Sequence, residues 1–391
     1  MTATNPGTEL QALVSRAEDL AHDVTLRAVR EWKAAEPSRK AIGYMPVYVP
    51  REIIHAAGML PVGVFGAGES VEIVKGDAFF QSYICHIPRS VLDLALRGAL
   101  DCLDGMLFPS TCDVIRNLSG MWQMLFPQKY VHYIDLPQDP SPGLGGAFFA
   151  REMRQIADDL GRMGGTPVTD GRLRASIAAY NENRRLVEEL YQLRRSQFWL
   201  APASEVYVLL RAGNVLPVEE HTKLLAEYLT LARQSGRHPV DMARVAIRGC
   251  FCEQPPVDLI RTLERAGCTI VDDDWLIHSR WPRGSVDAQG DPFEALSSAF
   301  LYRSPSCPSL YRAHERKGAS LVADAREARA EGVIFASASF CDPALLDQPM
   351  TMAAVKQAEI PCTAFLYAEN TGQFQPIREQ AGTFADAIKL S

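Results

Sequence analysis

Twice along this chain, apolar runs of strand length alternate with segments of helical period, and a strand-free helical stretch separates the two alternations. In the first, residues 60–65, 105–108 and 130–136 read as buried strands, with helices near 88–100, 113–125 and 147–163. In the second, strands at 244–249, 268–272, 332–337 and 361–367 accompany helices near 256–266, 320–331, 344–358 and 376–390. Strands that alternate with helices pair in parallel, because each crossover helix returns the chain to the edge it came from. The expected fold class is therefore α/β, with two doubly wound (Rossmann/flavodoxin-like) parallel-sheet domains and additional helical segments. The predicted divisions are an N-terminal helical segment over 1–40, a first α/β domain over 41–165, a helical connection over 166–235 and a second α/β domain over 236–391. One amphipathic helix opens the chain, with Leu10, Leu13, Ala17, Leu20, Val24 and Ala28 on its apolar face. No internal repeat, low-complexity tract or Gly/Ser linker is visible, which predicts a large interface between the two domains.

Several function classes drop out early. Lys+Arg 40 against Asp+Glu 47 gives a net charge of -7, and no basic block occurs, so nucleic acid is not an expected partner. No apolar stretch approaches the length of a membrane span, and the first ten residues lack a signal-peptide pattern, so a soluble, cytoplasmic protein is expected. No G-x-x-x-x-G-K-[ST] is present, and Gly63, Gly66 and Gly68 lack the spacing of a dinucleotide fingerprint. The cluster Gly143, Gly145 and Gly146 reads as a surface loop.

The nine cysteines separate by position. Cys102, Cys268 and Cys362 stand among apolar residues, as buried thiols do. Cys250 and Cys252 form a lone CxC with no companion to complete a zinc site, and Cys307 lies in a Ser/Pro loop. Cys85, Cys112 and Cys341 are different: each just precedes a predicted helix, and the last two closely follow a predicted strand. Ligands of open α/β sheets bind outside the carboxyl ends of the strands, and a helix N-terminus favours a thiolate. Asp342-Pro343 after Cys341 reads as an N-cap followed by a first-turn proline. Spacings of 27 and 229 residues match no compact ferredoxin pattern, so position alone leaves the ligand set open. Asp272, Asp273 and Asp274 read as helix caps and a solvated turn.

The segment from Gly43-Tyr44-Met45-Pro46-Val47-Tyr48 through His55-Ala56-Ala57-Gly58-Met59-Leu60-Pro61-Val62 resembles the opening signature of the 2-hydroxyacyl-CoA dehydratase and benzoyl-CoA reductase family. Tyr83-Ile84-Cys85, Phe108-Pro109-Ser110-Thr111-Cys112-Asp113, Val271-Asp272-Asp273-Asp274, Phe340-Cys341-Asp342-Pro343 and the stretch 369–384 follow in the family's order. The resemblance spans roughly residues 40 to 390. Within the family, Cys85-His86-Ile87-Pro88-Arg89-Ser90 and the short length look closest to the smaller cluster-bearing subunit of ATP-dependent reductases.

The resemblance implies that Cys85, Cys112 and Cys341 hold a 4Fe-4S cluster. It implies a homologous cluster-bearing subunit as partner, separate ATPase (electron-activating) subunits, ferredoxin as electron donor to the complex, and an aryl-CoA substrate whose ring is reduced to a cyclic dienoyl-CoA. Such a reduction lies near or beyond the bottom of the roughly -700 to +450 mV range of protein iron-sulfur clusters, so ATP hydrolysis elsewhere must drive it. His86 and His55 are possible proton donors, since imidazole titrates near neutrality. Phe108, Trp122 and Phe340 are aromatics available to line a substrate space. Two other functions stay open: a subunit of a 2-hydroxyacyl-CoA dehydratase, which is a lyase, and a non-catalytic electron-relay subunit.

Overall fold

A computed structural model describes residues 6–45, 48–164, 166–252, 254–275, 281–310, 315–368 and 374–390, apart from the Glu69 side chain. Pro46 and Val47 of the opening signature, and residues 369–373 of the terminal stretch, lie outside the described residues. In chain order the elements are α1 (Pro6–His22), α2 (Arg27–Ala34), β1 (Ala41–Tyr44), α3 (Arg51–Ala56), β2 (Leu60–Gly63), α4 (His86–Leu96), β3 (Gly105–Pro109), α5 (Asp113–Leu125), β4 (Tyr130–Ile134) and α6 (Ala147–Gly164). The chain continues through α7 (Asp170–Ser196), α8 (Ala203–Ala212), α9 (Val218–Gln234), β5 (Ala243–Arg248), α10 (Val257–Arg265), β6 (Cys268–Asp272), α11 (Pro292–Arg303), α12 (Ala319–Glu327), β7 (Gly332–Ala338), α13 (Asp342–Gln357), β8 (Cys362–Tyr367) and α14 (Gln375–Leu390).

The strands form two four-stranded parallel sheets, in the orders β2-β1-β3-β4 and β6-β5-β7-β8. Renumbered within each sheet, both orders read 2-1-3-4, so a repeat that residue identities conceal is present in the topology. That order reverses direction between its two central strands, which places a topological switch point at the carboxyl ends of β1 and β3 in one sheet and of β5 and β7 in the other. The central strands must approach closely. A Cβ on Gly43 of β1 would fall 2.2 Å from the Met106 sulfur of β3, and one on Gly249 after β5 would fall 2.6 Å from the Ser337 hydroxyl after turning with a φ of +105°. Both central strands are fully buried, and a single apolar core joins Ile42, Val62 and Leu107 of the first sheet to Ile247, Ile270 and Ile334 of the second.

The carboxyl edges of the two sheets meet. Tyr44, the last residue of β1, sets its ring edge-on to Trp281, which lies beyond the end of β6. The Arg51 guanidinium sits 3.9 Å over the same indole, and the Tyr48 hydroxyl hydrogen-bonds the Cys307 thiol from the loop after α11. Further out, α11 packs on α6, and Asp291 caps α11 by accepting from the Phe293 and Glu294 N–H groups at 2.9 and 3.3 Å.

Some expectations need correction. The opening amphipathic pattern is two helices, because Leu26 adopts a left-handed φ of 54° and turns the chain between α1 and α2. Pro142–Gly146, expected as a loop, is a helical turn leading into α6.

Candidate functional site

All three singled-out cysteines are helix N-caps. Cys85 caps α4 and Cys112 caps α5, and these two helices pack together beside the first sheet. Cys112 stands three residues past β3, on the switch-point side of that sheet. Cys341 caps α13 in the equivalent position past β7, one residue earlier than the Asp342 cap expected, so that Asp342 and Pro343 form the first turn. Its predecessor Phe340 holds a left-handed φ of 63°. Such a conformation in an aromatic residue is strained and turns the chain sharply from strand into helix.

Cys341 is 3% exposed, and Cys85 and Cys112 are half-buried. Burial pushes the Cys112 thiol above its ordinary value, and the Ile115 and Val114 N–H groups of its helix pull the other way without overcoming it. Among the described residues, no three His, Cys, Asp or Glu side chains stand close enough together to hold a single metal ion. A four-iron cube takes its thiolates through separate irons, and so accepts ligands farther apart than one ion does. The donor set fits that group in kind: three thiols, each at a helix N-terminus whose dipole favours negative charge.

The remaining cysteines are placed as core. The Cys250 thiol donates to the Ala336 carbonyl at 3.4 Å, Cys252 is buried, and burial holds Cys268 near a pKa of about 12. Burial also raises Cys102 and Cys362. Cys307 is buried where the two carboxyl edges meet.

His86, the first residue of α4, is buried beside Cys85. His55 has both ring nitrogens engaged: Nδ1 lies 2.9 Å from the Ser176 hydroxyl of α7, and Nε2 lies 3.3 Å from Glu219 of α9. Its ring also meets Tyr180 edge-on, so His55 ties α3 to the long helices. Phe108 and Trp122 are core residues packed on each other, whereas Phe340 is 53% exposed.

Asp272, Asp273 and Asp274 are neither solvated nor helix caps; all three are buried. Asp272 accepts from Arg195 at 2.6 Å and Arg248 at 2.5 Å, Asp273 from Arg194 at 2.6 Å, and Asp274 from the Gly249 N–H at 2.8 Å and the Cys250 N–H at 3.2 Å. Burial alone would raise the Asp272 carboxyl, yet Arg248 and Arg195 bring it down to about 2. The loop after β5, at the switch point, is thus fixed by Asp274 among these acids. Arg194 and Arg195 reach them from α7, which sequence reading treated only as a connection.

A sequence profile described as "2-hydroxyglutaryl-CoA dehydratase, D-component" matches residues 46–388. The chain is 53% identical over 379 residues to one of the benzoyl-CoA reductase subunits of Thauera aromatica, covering 97% of this chain and 98% of that protein. It is 28% identical over 326 residues to the (R)-phenyllactyl-CoA dehydratase beta subunit of Clostridium sporogenes, covering 83% and 86%. It is 26% identical over 380 residues to the lactoyl-CoA dehydratase beta subunit of Anaerotignum propionicum, covering 97% and 99%. No helix among the described residues is long and apolar enough to cross a membrane.

Proposed function

The chain belongs to the 2-hydroxyglutaryl-CoA dehydratase D-component family, and from that premise we propose that it is the iron-sulfur subunit of an ATP-dependent benzoyl-CoA reductase. The observation that carries this reading is the 53% identity to a reductase subunit along nearly the whole chain, against 28% and 26% to dehydratase subunits. Cys85, Cys112 and Cys341 would hold a 4Fe-4S cluster. When bound, that cluster supplies single electrons at low potential.

The work left to this chain is placement and insulation. Three helix N-termini supply fixed partial positive charge to the thiolates. Burial around Cys341 and against the core at Cys112 limits water, which strengthens every interaction of charge there. Phe340, turned outward beside Cys341, offers a planar apolar face to an aromatic acyl group. In this reading His86, buried beside Cys85, hands on a proton, while His55 is tied to Ser176 and Glu219. The partners of this reading are a homologous cluster-bearing subunit, ATPase subunits that deliver the electron, and ferredoxin as their donor, in the cytoplasm.

The test is an anaerobic assay of the co-expressed complex with a low-potential donor, ATP and benzoyl-CoA, read by product mass. Gain of two hydrogens is expected. Loss of water from a 2-hydroxyacyl-CoA, with no net reductant consumed, would make the chain a dehydratase subunit, the reading that the 28% relative favours. Turnover of no acyl-CoA would leave it a relay.

A second expectation concerns nucleotide. The sequence carries no P-loop, so the separated pair of cluster-bearing subunits should give no heat on titration with Mg-ATP. Tight stoichiometric binding would show that this pair, and not a separate ATPase, handles the nucleotide.

A further inference from the structure

A roomy opening lies away from the cysteines. A cavity of about 850 Å³ lies between the loop after β2, the turn from α1 into α2, the end of α8, one face of α10 and the start of α14. None of Cys85, Cys112 and Cys341 lines it. Its size suits a ligand of nucleotide dimensions, since pockets for such molecules run from roughly 300 to 1,000 Å³.

The lining has two characters. Val64, Phe65, Leu94, Leu100 and Phe374 give an apolar wall suited to a purine ring. Arg211, Arg261, Arg265 and Arg378 bring four guanidinium groups from three helices. The carboxylates facing them are already engaged. Glu18 pairs with Arg261 at 2.7 Å, Asp258 lies 3.3 Å from the same guanidinium, and Asp23 accepts from the Thr25 and Arg27 N–H groups at the start of α2. Arg265 and Arg378 have no carboxylate partner among the described residues. Arg211 is 8% exposed, with its Nη1 3.2 Å from the Tyr207 hydroxyl, so one charge is built into the cavity floor. Gly66 and Gly68, at φ of +87° and +54°, let the β2 loop pass the opening as bare backbone.

We propose that this cavity binds the 3′-phospho-ADP end of an acyl-CoA thioester through Arg211, Arg265 and Arg378. The inference rests on the reading of the substrate as a CoA thioester. Arginine is the residue suited to phosphate, because its planar fork donates two parallel hydrogen bonds to phosphate oxygens. A bisphosphorylated nucleotide needs several such forks at separate points, which is what the two helices and the cavity floor provide. Binding energy gathered so far from the thioester helps to fix the acyl group without touching it.

The test uses the anaerobically purified complex carrying Arg265→Ala and Arg378→Ala together; both side chains lie on the surface, so the fold should survive. Two measurements are made: competition by adenosine 3′,5′-bisphosphate, and the preference in kcat/KM for aryl-CoA over the same aryl thioester of pantetheine, which lacks the nucleotide. In the unsubstituted complex the bisphosphate should compete with aryl-CoA. The double variant should lose about tenfold or more of the preference for the CoA thioester, the size expected for losing charge-assisted hydrogen bonds. A preference that survives in the variant would overturn the proposal. So would equal competition by ATP, which has no 3′-phosphate. If the unsubstituted complex turns over no thioester, the reductase reading fails by itself, and titration with the bisphosphate still decides this one: binding weakened in the variant supports it, and no binding overturns it.

Discussion

If the proposed cluster is held as argued, Cys85→Ser, Cys112→Ser and Cys341→Ser are each expected to lose its iron while leaving the fold in place. In the proposed cluster three protein thiolates serve four irons, so there is no redundancy and losing one leaves two. All three are helix N-caps, a position where serine is well accepted, so serine there should not disturb α4, α5 or α13. Iron and acid-labile sulfide per anaerobically purified complex are the measurement, with circular dichroism to confirm the helices. A drop by the whole content of one cluster is expected in each variant. A serine hydroxyl can stand in weakly for a thiolate, so the matching alanine variants settle an ambiguous loss. Cys102→Ser and Cys362→Ser, far from the switch points, should keep their iron and cost at most about 1–2 kcal/mol of stability. Full iron in any one of the three would remove that cysteine from the ligand set.

That these three could be singled out from sequence at all follows from where they stand. A strand that ends in Phe108-Pro109-Ser110-Thr111 and a helix that starts at Asp113 are both local signals, and the residue between them inherits its position from both. The strand Cys268–Asp272 and the helix Asp113–Leu125 have the bounds expected for the same reason. The cap at Cys341 shifted by one residue because Asp-Pro is a strong local signal, yet the turn is made by Phe340. β1 was passed over because it has only four residues, one of them Gly43, and it is a central strand only by virtue of neighbours on both sides. The repeated 2-1-3-4 order was invisible for a related reason: it is a property of which strands pair, and no spacing in the chain records it. The acids after β6 misled most. Three aspartates in a row carry the composition of a solvated turn, and what buries them is a set of arginines 77 to 79 residues upstream on α7 and 24 upstream on β5.

The Arg194–Asp273 pair should therefore be the most sensitive point in the fold. Neither side chain has any exposure, and the carboxylate collects Arg194 at 2.6 Å, the Tyr191 hydroxyl at 2.9 and 3.0 Å and the Trp275 N–H at 3.0 Å. Burial pushes the Asp273 carboxyl up, with Arg194 opposing it; on Arg194 burial acts downward and the charge of Asp273 overcomes it, so the arginine stays protonated. Arg194→Met removes the cation that donates to the Asp273 carboxylate at 2.6 Å, next to the ionised Asp272. Breaking such a pair on one side costs about 3–5 kcal/mol, because the survivor's lost hydration is no longer offset. The variant should unfold at lower urea and lower temperature than the parent. Arg194→Met combined with Asp273→Leu should recover most of that loss, since replacing both partners by apolar groups of similar volume is often neutral. Urea unfolding of the complex, followed by the fluorescence of Trp275 and its neighbours, measures both. Equal loss in the single and double variants would mean that the pair's geometry, and not the stranded charge, is what the fold depends on. The neighbouring Asp272 adds a pH signature with a definite sign. Its folded pKa of about 2 lies below the ordinary carboxylate value, so its contribution is present at neutral pH and is lost as pH falls from about 4 toward 2. Asp272→Asn should flatten that part of the acid-unfolding curve, and with it weaken the tie of Arg248, at the end of β5, to β6.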